Sequence, residues 1–313
     1  MQEAHNNKHP NDLDDEIDLR ELFYILFQGK WIIVSVTAFI SIIGVIYSLS
    51  LPNIYTSKAL LAPVSSASGI SGALGSYSSL AGLAGISLPS SSDESNSQKA
   101  MEKIRSLSFF ENNILKNIFL PNLMAVKSWN IETNTLTYDE SIYKMNSNTS
   151  VKYSNPKQQI PSAQASYRVF TNHLSLSEDK KTGFITLSIK HQSPFVAKQW
   201  AELVINEVNT FYRQKDKLES EKAVSYLNQQ ILMTSLSEIK QVIGQLIQEE
   251  TQKLSLIEAN QYYVFDYIDP PAVMELKSEP RRSIICILSA LFGAMLSIIL
   301  VFIKHYVFKE KVD

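Results

Sequence analysis

Few residues in this 313-residue sequence have the types and spacing that catalysis requires. None of the patterns GxxxxGK[ST], HExxH, CxxC or GxSxG occurs, and the single cysteine is Cys286. The only closely spaced histidines, His5 and His9, lie in a polar N-terminal tail. His173 and His191 could meet in the fold, but we interpret them as surface residues. The sequence therefore predicts no enzyme, no cofactor and no metal site.

The most distinctive polar residues instead stand directly before an apolar block. The segment IDPPAVMELKSEPRRS holds Pro270, Pro271 and Pro280, followed by Arg281 and Arg282, and runs into IICILSALFGAMLSIILVFI. Positions 271, 274, 277 and 280 recur at the three-residue period of polyproline II. This pattern predicts a stiff, extended stem whose arginines lie at a lipid headgroup boundary.

Two apolar blocks carry no Asp, Glu, Lys, Arg or His, one from Trp31 to Leu51 and one from Ser283 to Ile303. Each is roughly 31 Å long as a helix, which matches a bilayer core of about 30 Å. Both are predicted to span a membrane. Small residues stand four apart in each block, a spacing that lets membrane helices approach closely: Gly44 and Ser48, then Ser289, Gly293 and Ser297.

The residues before and after the first block favour a surface helix and then a strand. In the tail, an apolar stripe with helical spacing suits a membrane surface and comprises Leu19, Leu22, Phe23, Leu26 and Phe27. A strand is predicted at 54–61, and the Gly- and Ser-rich segment 65–97 is expected to be a loop. Helices are predicted at 98–119 and 163–173, with a second strand at 184–190.

A long helical segment follows Ser193 and Pro194, a cap and a first helical residue. Unbroken to Asn260, it would be about 100 Å long. The residues left before the second apolar block reach at most ~80 Å, so one rod that leaves a membrane could not return. Ser235–Glu238 has the pattern of a capping box, which predicts a break, a helical hairpin, and a returning third strand at 262–269.

Two apolar stripes along the hairpin are interpreted as packing seams. The first comprises Val196, Trp200, Leu203 and Val208, and the second comprises Leu236, Ile239, Ile243 and Leu246.

Charge gives a weak signal for topology. Lys and Arg are nearly balanced across the two blocks, but long loops cross a membrane largely regardless of charge, so we expect both tails inside and the middle outside. The net charge of −2 gives no support to nucleic-acid binding.

These stretches together resemble the Wzz-type polysaccharide chain-length determinants, or polysaccharide co-polymerases, of Gram-negative inner membranes. The resemblance covers roughly half of the chain and is carried, in order, by DDEIDLRELFYILFQGKWIIV, IYTSKALLAP, GLAGISL, LSLSEDKKTGFITLSIKHQSPFVAKQWAELVI and the run from TSLSEIKQ to SEPRRS. The chain departs from the family at Met274 and Lys277, where proline often recurs.

The resemblance implies an α+β membrane protein in which two transmembrane helices flank a periplasmic α/β base with a protruding helical hairpin. The expected segments are a cytoplasmic amphipathic tail 1–30, a span 31–51, a periplasmic domain 52–282, a span 283–303 and a cytoplasmic tail 304–313. It also implies a homo-oligomeric ring in the inner membrane.

The implied function is to set the modal length of a lipid-linked glycan, such as O-antigen, that a Wzy-type polymerase builds. Candidate contact residues are Pro270, Pro271, Pro280, Arg281 and Gly293 in the stem and second span, and Leu19 and Leu22 in the tail. Each has a plain structural role as its alternative, which we favour for the prolines and the glycine. The alternatives are an adaptor for capsule or exopolysaccharide export and a two-span scaffold unrelated to glycans.

Overall fold

The computed structural model describes residues 19–64, 93–144, 152–153 and 161–309. The chain divides into two compact units, one made of 1–51 and 280–313 and the other of 52–279. Residues 65–92, most of the expected loop, lie outside the described residues, as does most of the acidic tail.

In its described residues, 19–51 and 280–309, the first unit contains three helices: α1 (Leu19–Gln28), α2 (Lys30–Ser50) and α9 (Arg282–Lys309). Lys30–Ser50 and Arg282–His305 are long and apolar enough to cross a membrane, and few of their residues are buried within the protein. Such exposure favours lipid as the surrounding medium over a soluble core.

The second unit is built on a four-stranded antiparallel sheet of β1 (Tyr55–Pro63), β6 (Leu174–Glu178), β7 (Ile185–His191) and β8 (Phe265–Asp269). The strand order is β6–β7–β1–β8, so β1 lies between β7 and β8. In β7 the buried and partly exposed residues alternate, as expected for a sheet with one face on the core.

Helices cover that face of the sheet and supply most of its hydrophobic core. They are α3 (Asp93–Ile104), α4 (Leu107–Phe109), a π-helical turn (Phe110–Ile114), α5 (Leu120–Met124), α6 (Ala163–His173) and the first turns of α7 (Pro194–Met233). Trp200 and Val204 of α7 are buried in one core with Leu61 and Leu187 of the sheet. Two short hairpins complete the unit: β2 (Val126–Asn130) with β3 (Thr135–Tyr138), and β4 (Tyr143–Lys144) with β5 (Lys152–Tyr153).

The long helices form the predicted hairpin. α7 ends at Met233, three extended residues follow, and α8 runs from Ser237 to Ala259. The part of α7 beyond Asn209 and the whole of α8 are each about 35 Å long, so the two legs match. We call these legs, residues 210–259, the arm. The α+β class with a long helical hairpin between two apolar helices is therefore confirmed.

Several local predictions were wrong. The predicted capping box does not cap α8, because its N-cap residue is Leu236 and no side chain bonds there. The helix expected at 98–119 begins earlier, at Asp93, and breaks at Ser106, whose hydroxyl accepts a hydrogen bond from the Phe109 N–H at 3.2 Å. A serine that bonds the backbone in this way starts a new helix instead of continuing the old one.

One buried amide side chain fixes the place where the arm returns to the sheet. Asn209 Oδ1 accepts hydrogen bonds from the backbone N–H groups of Tyr263, Val264 and Phe265 at 3.3, 2.7 and 3.0 Å. Its Nδ2 donates to the Phe265 carbonyl at 3.0 Å. A single residue of α7 thus sets the start of β8.

We expect Asn209→Ala to destabilise the protein by about 3 kcal/mol, because it leaves buried backbone N–H groups without an acceptor. The measurement is unfolding of the full chain in detergent, followed by tryptophan fluorescence. Asn228→Ala, at an exposed position on the same helix, is the matched control and should change little. Equal stability of the two variants would show that Asn209 does not hold the arm.

Candidate functional site

The two candidate spans pack antiparallel through small residues, which we call the seam. Gly44 of α2 lies against Ser289 of α9, and a Cβ at Gly44 would collide with that side chain. A Cβ at Gly293 would lie 3.1 Å from Ile40 Cβ and 3.3 Å from Thr37 Cα. Because Thr37 Cα is a backbone atom, it cannot rotate away.

Serine hydroxyls in the seam bond mostly within their own helix. Ser289 Oγ donates to the Cys286 carbonyl at 2.8 Å, and Ser297 Oγ donates to the Ala294 carbonyl at 2.7 Å. Ser297 Oγ also lies 3.4 Å from Thr37 Oγ1 on the other helix. The close approach predicted from the four-residue spacing is confirmed, with Gly293 buried in the seam.

The tail helix α1 meets the second candidate span at Gly29, where a Cβ would lie 2.5 Å from Val301 Cγ1. Ile25 is the tail side chain that is buried there, although it was not in the predicted stripe. Leu19 begins α1 and Leu22 is half-buried, whereas Phe23 and Phe27 are exposed. The stripe therefore presents its largest side chains outward, as a helix lying in a membrane surface would.

Within the second unit, the stem residues up to Glu279 form hydrogen bonds to β1 and to Ile54, the residue before it. Ile54 N–H donates to the Glu279 carbonyl at 2.9 Å, and Ser278 N–H donates to the Ile54 carbonyl at 2.8 Å. Ser57 Oγ donates to the Ala272 carbonyl at 2.8 Å. The stem is thus a partner of β1 rather than a free polyproline segment.

Side-chain contacts add to the hydrogen bonds between the stem and the sheet. Thr56 Oγ1 and Ser278 Oγ lie 2.7 Å apart, and Lys190 Nζ lies 2.5 Å from Glu279 Oε1. The Lys190 and Glu279 side chains are both partly exposed, so their ion pair contributes little stability. Sequence reasoning missed Thr56 and Ser57; the only signal was two adjacent hydroxyl residues near the start of a strand whose second half is apolar.

The predicted stem residues differ in their environments. Pro271 is buried, Pro280 is half-buried, and Pro270 and Arg281 are exposed. The chain bends at Glu275 and Leu276, which interrupts the three-residue repeat. The stem residues therefore do not form one cluster, and Pro270 and Arg281 are the ones accessible to a partner.

His173 and His191 are not the surface residues predicted, since His191 is buried and its ring centroid lies 6.0 Å from that of His173 and 5.0 Å from that of Trp200. His191 Nε2 donates to the Asn122 carbonyl at 2.9 Å, and Nδ1 accepts from the Ser193 N–H at 2.9 Å. The ring thus joins α5, through Asn122, to the N-cap residue of α7, Ser193. Burial lowers the pKa of His191 to about 4 and also lowers the pKa of His173.

The apolar stripe predicted on α8 is largely exposed and does not pack inside the arm. In the predicted stripe only Ile243 is buried, while Leu236, Ile239 and Leu246 remain exposed. Val242 is also 52% exposed on this side of α8. Large exposed apolar patches mark interaction sites, so the arm has an unpaired surface.

Within the described residues no group of three or more His, Cys, Asp or Glu side chains is placed to hold a metal ion. The described residues offer packing surfaces and hydrogen-bonded contacts between elements instead.

The fold and the seam define the class: an α+β protein with two candidate membrane spans, paired antiparallel, and a long helical arm. Residues 15–115 match the Wzz family model, described as chain length determinant protein. This match covers the tail, the first candidate span, β1 and α3, and it agrees with the family resemblance noted in the sequence.

No curated protein sequence matches the chain significantly. Among solved structures it is similar to a full-length bacterial polysaccharide co-polymerase, at 14% identity and a TM-score of 0.43, covering 95% of this chain and 100% of that one. It is also similar to a fragment of WzzB, a polysaccharide co-polymerase from Salmonella Typhimurium, at 12% identity and a TM-score of 0.32, covering 72% of this chain and 100% of the other. Both TM-scores lie below 0.5, so these likenesses carry no weight for function.

We expect acid to weaken the joint between β7 and α7. The pKa of His191 is lower in the folded protein than in the unfolded chain, so its neutral form stabilises the fold above pH 6.5, and this contribution is lost as the pH falls from 6.5 to about 4. The loss from His191 is roughly 3 kcal/mol. Unfolding of the full chain in detergent across this range measures it.

His191→Gln, whose amide does not titrate, should lower the stability at neutral pH but flatten the dependence between pH 6.5 and 4. If the variant and the original protein lose stability in parallel, His191 is not the titrating group.

Proposed function

We propose that the chain is an inner-membrane co-polymerase that sets the modal length of a lipid-linked polysaccharide made by a Wzy-type polymerase. The observation that carries this proposal is the match of residues 15–115 to the Wzz chain length determinant model. A chain length determinant regulates a product that another protein makes, which fits the expectation that this chain is not an enzyme.

The glycan is most simply lipopolysaccharide O-antigen, as the sequence resemblance implies. Both termini face the cytoplasm and the segment 52–279 lies in the periplasm in this proposal. Support for placing the termini on one side comes from the seam, because antiparallel spans put the start of α2 and the end of α9 at the same end. The stem residues Pro270, Pro271, Pro280 and Arg281, with Leu19 and Leu22 of the tail, are proposed contact or positioning residues.

The mechanism we propose is geometrical. Protomers assemble into a ring through the exposed apolar face of the arm, and the ring holds polymerases or growing chains near the membrane. The length of the glycan then depends on how long each chain remains there. Gly293 matters because the seam sets the relative position of the two spans in every protomer.

The first test is a glycan ladder on a gel from a deletion strain that expresses Gly293→Leu. We expect the modal band to be lost, because a side chain there forces α2 and α9 apart. Gly244→Leu is the matched control, since a Cβ at Gly244 meets nothing within 4 Å, and it should keep the modal length. The two variants are compared at equal protein level.

Pro280→Ala, compared in the same way, tests the stem; unchanged banding would remove Pro280 from the proposed residues. If deletion of the gene alters exported capsule or exopolysaccharide and leaves O-antigen unchanged, the export adaptor replaces the length regulator. An unaltered surface polysaccharide would favour the scaffold unrelated to glycans.

The second test concerns the ring. Val242→Glu places a charge on the exposed apolar face of the arm, so we expect the detergent-solubilised oligomer to dissociate and the modal band to weaken. Gln248→Glu adds the same charge at another exposed position of α8 and should leave both unchanged. Mass photometry of the two variants gives the oligomeric state, and an intact oligomer in Val242→Glu would exclude this face as the interface.

A further inference from the structure

A cavity of about 230 Å³ lies where the tail helix α1 meets the ends of α2 and α9. Ile25, Ile32 and Val301 form its apolar part, and Gln28, Lys304 and His305 supply an amide, an ammonium and an imidazole. Gly29 also lines it, and the absence of a side chain there lets α1 approach Val301. The cavity is therefore amphipathic and carries a positive charge at Lys304.

The size of the cavity limits what it can bind. Drug-sized ligands usually occupy pockets of about 300 to 1,000 Å³, so this cavity suits a smaller group. A phosphate with part of its glycerol is such a group. Cationic and amide side chains are the donors that phosphate oxygens accept from.

The surroundings favour a lipid as the source of that phosphate. Trp31 and Phe27, close in sequence to the cavity residues, are 76% and 70% exposed. Tryptophan is enriched at the level of lipid headgroups, and basic pockets between membrane helices bind anionic headgroups. Acyl chains could then follow the exposed apolar surface of α2 and α9.

We propose that this cavity binds the phosphate headgroup of an anionic membrane phospholipid, held by Lys304, Gln28 and His305. The lipid wedges between the tail helix and the second candidate span and fixes the angle at Gly29. The residues that line the cavity do not belong to the stem or the arm, so the proposal goes beyond the regulation of glycan length. It requires only that α2 and α9 lie in a bilayer.

The chain offers a matched control for the charge. Lys30 is close to the cavity in sequence, but its Nζ lies 4.6 Å above the Phe27 ring, and Lys30 does not line the cavity. Lys304→Gln and Lys30→Gln therefore remove the same charge, and only the first removes it from the cavity. Gln28→Trp fills the cavity from an exposed position without changing the net charge.

The experiment is native mass spectrometry of the full chain in detergent with phosphatidylglycerol, with phosphatidylcholine, or with inorganic phosphate. We expect the protein to retain phosphatidylglycerol over phosphatidylcholine. Lys304→Gln and Gln28→Trp should each reduce that retention by about fivefold or more, whereas Lys30→Gln should keep it. Thermal unfolding of each variant shows that it is folded.

Three results would overturn the proposal. Equal losses in Lys304→Gln and Lys30→Gln would indicate general surface charge. Normal retention by Gln28→Trp would place the lipid outside the cavity. Inorganic phosphate that competes with or replaces phosphatidylglycerol at millimolar concentration would make the ligand a soluble anion. None of these outcomes depends on the glycan ladder, so failure here leaves the length proposal to be judged by its own test.

Discussion

The close contact of two apolar helices is the constraint on which the first unit depends. Lipid is as apolar as the side chains of α2 and α9, so burial alone cannot hold the helices together in a membrane. What remains is packing at short range, and it requires residues without bulky side chains where the backbones meet. Gly44 and Gly293 meet that need from opposite helices, each facing a side chain or backbone of the other. The partners run in opposite directions, so a single packing surface fixes the antiparallel order of the spans.

A related constraint governs the second unit, where a chain that leaves along a 40-residue helix must come back to the sheet it left. The return is secured at the base of the arm. Asn209 binds the start of β8 with four hydrogen bonds, and Arg213 donates to the carbonyls of Asn260 and Gln261 one turn further along. β8 then pairs with β1, and the stem after it bonds to the entry of the same strand. The first and last parts of this unit are thus tied side by side.

The sequence predicted those features that depend on local pattern. Charge-free length predicted both candidate spans, runs of β-forming residues predicted β1 and β7 to within one or two residues, and a limit on chain length required the hairpin. It failed where the decisive contact leaves no trace in the local pattern of residue types. β6 was missed because Leu174–Glu178 is short and polar and is a strand only by pairing with β7. His191 was judged a surface residue because its carbonyl and N–H partners, Asn122 and Ser193, are visible only in the fold.

The candidate site shows the same contrast between features that a local pattern predicts and features that only the fold reveals. Gly293 was predicted from spacing, and the structure places it so that an added Cβ would lie 3.1 Å from Ile40 Cβ, tighter than nearly all Cβ contacts, whereas the stem prolines have no single shared environment. The arm shows that its helices do not bury all of their apolar residues. Ile243 and Ile257 are buried between the legs. Ile239, Val242 and Leu246 are exposed. A hairpin that needed only its own stability would bury those side chains between its legs. Their exposure leaves an apolar surface on the arm, and the proposed ring depends on that surface.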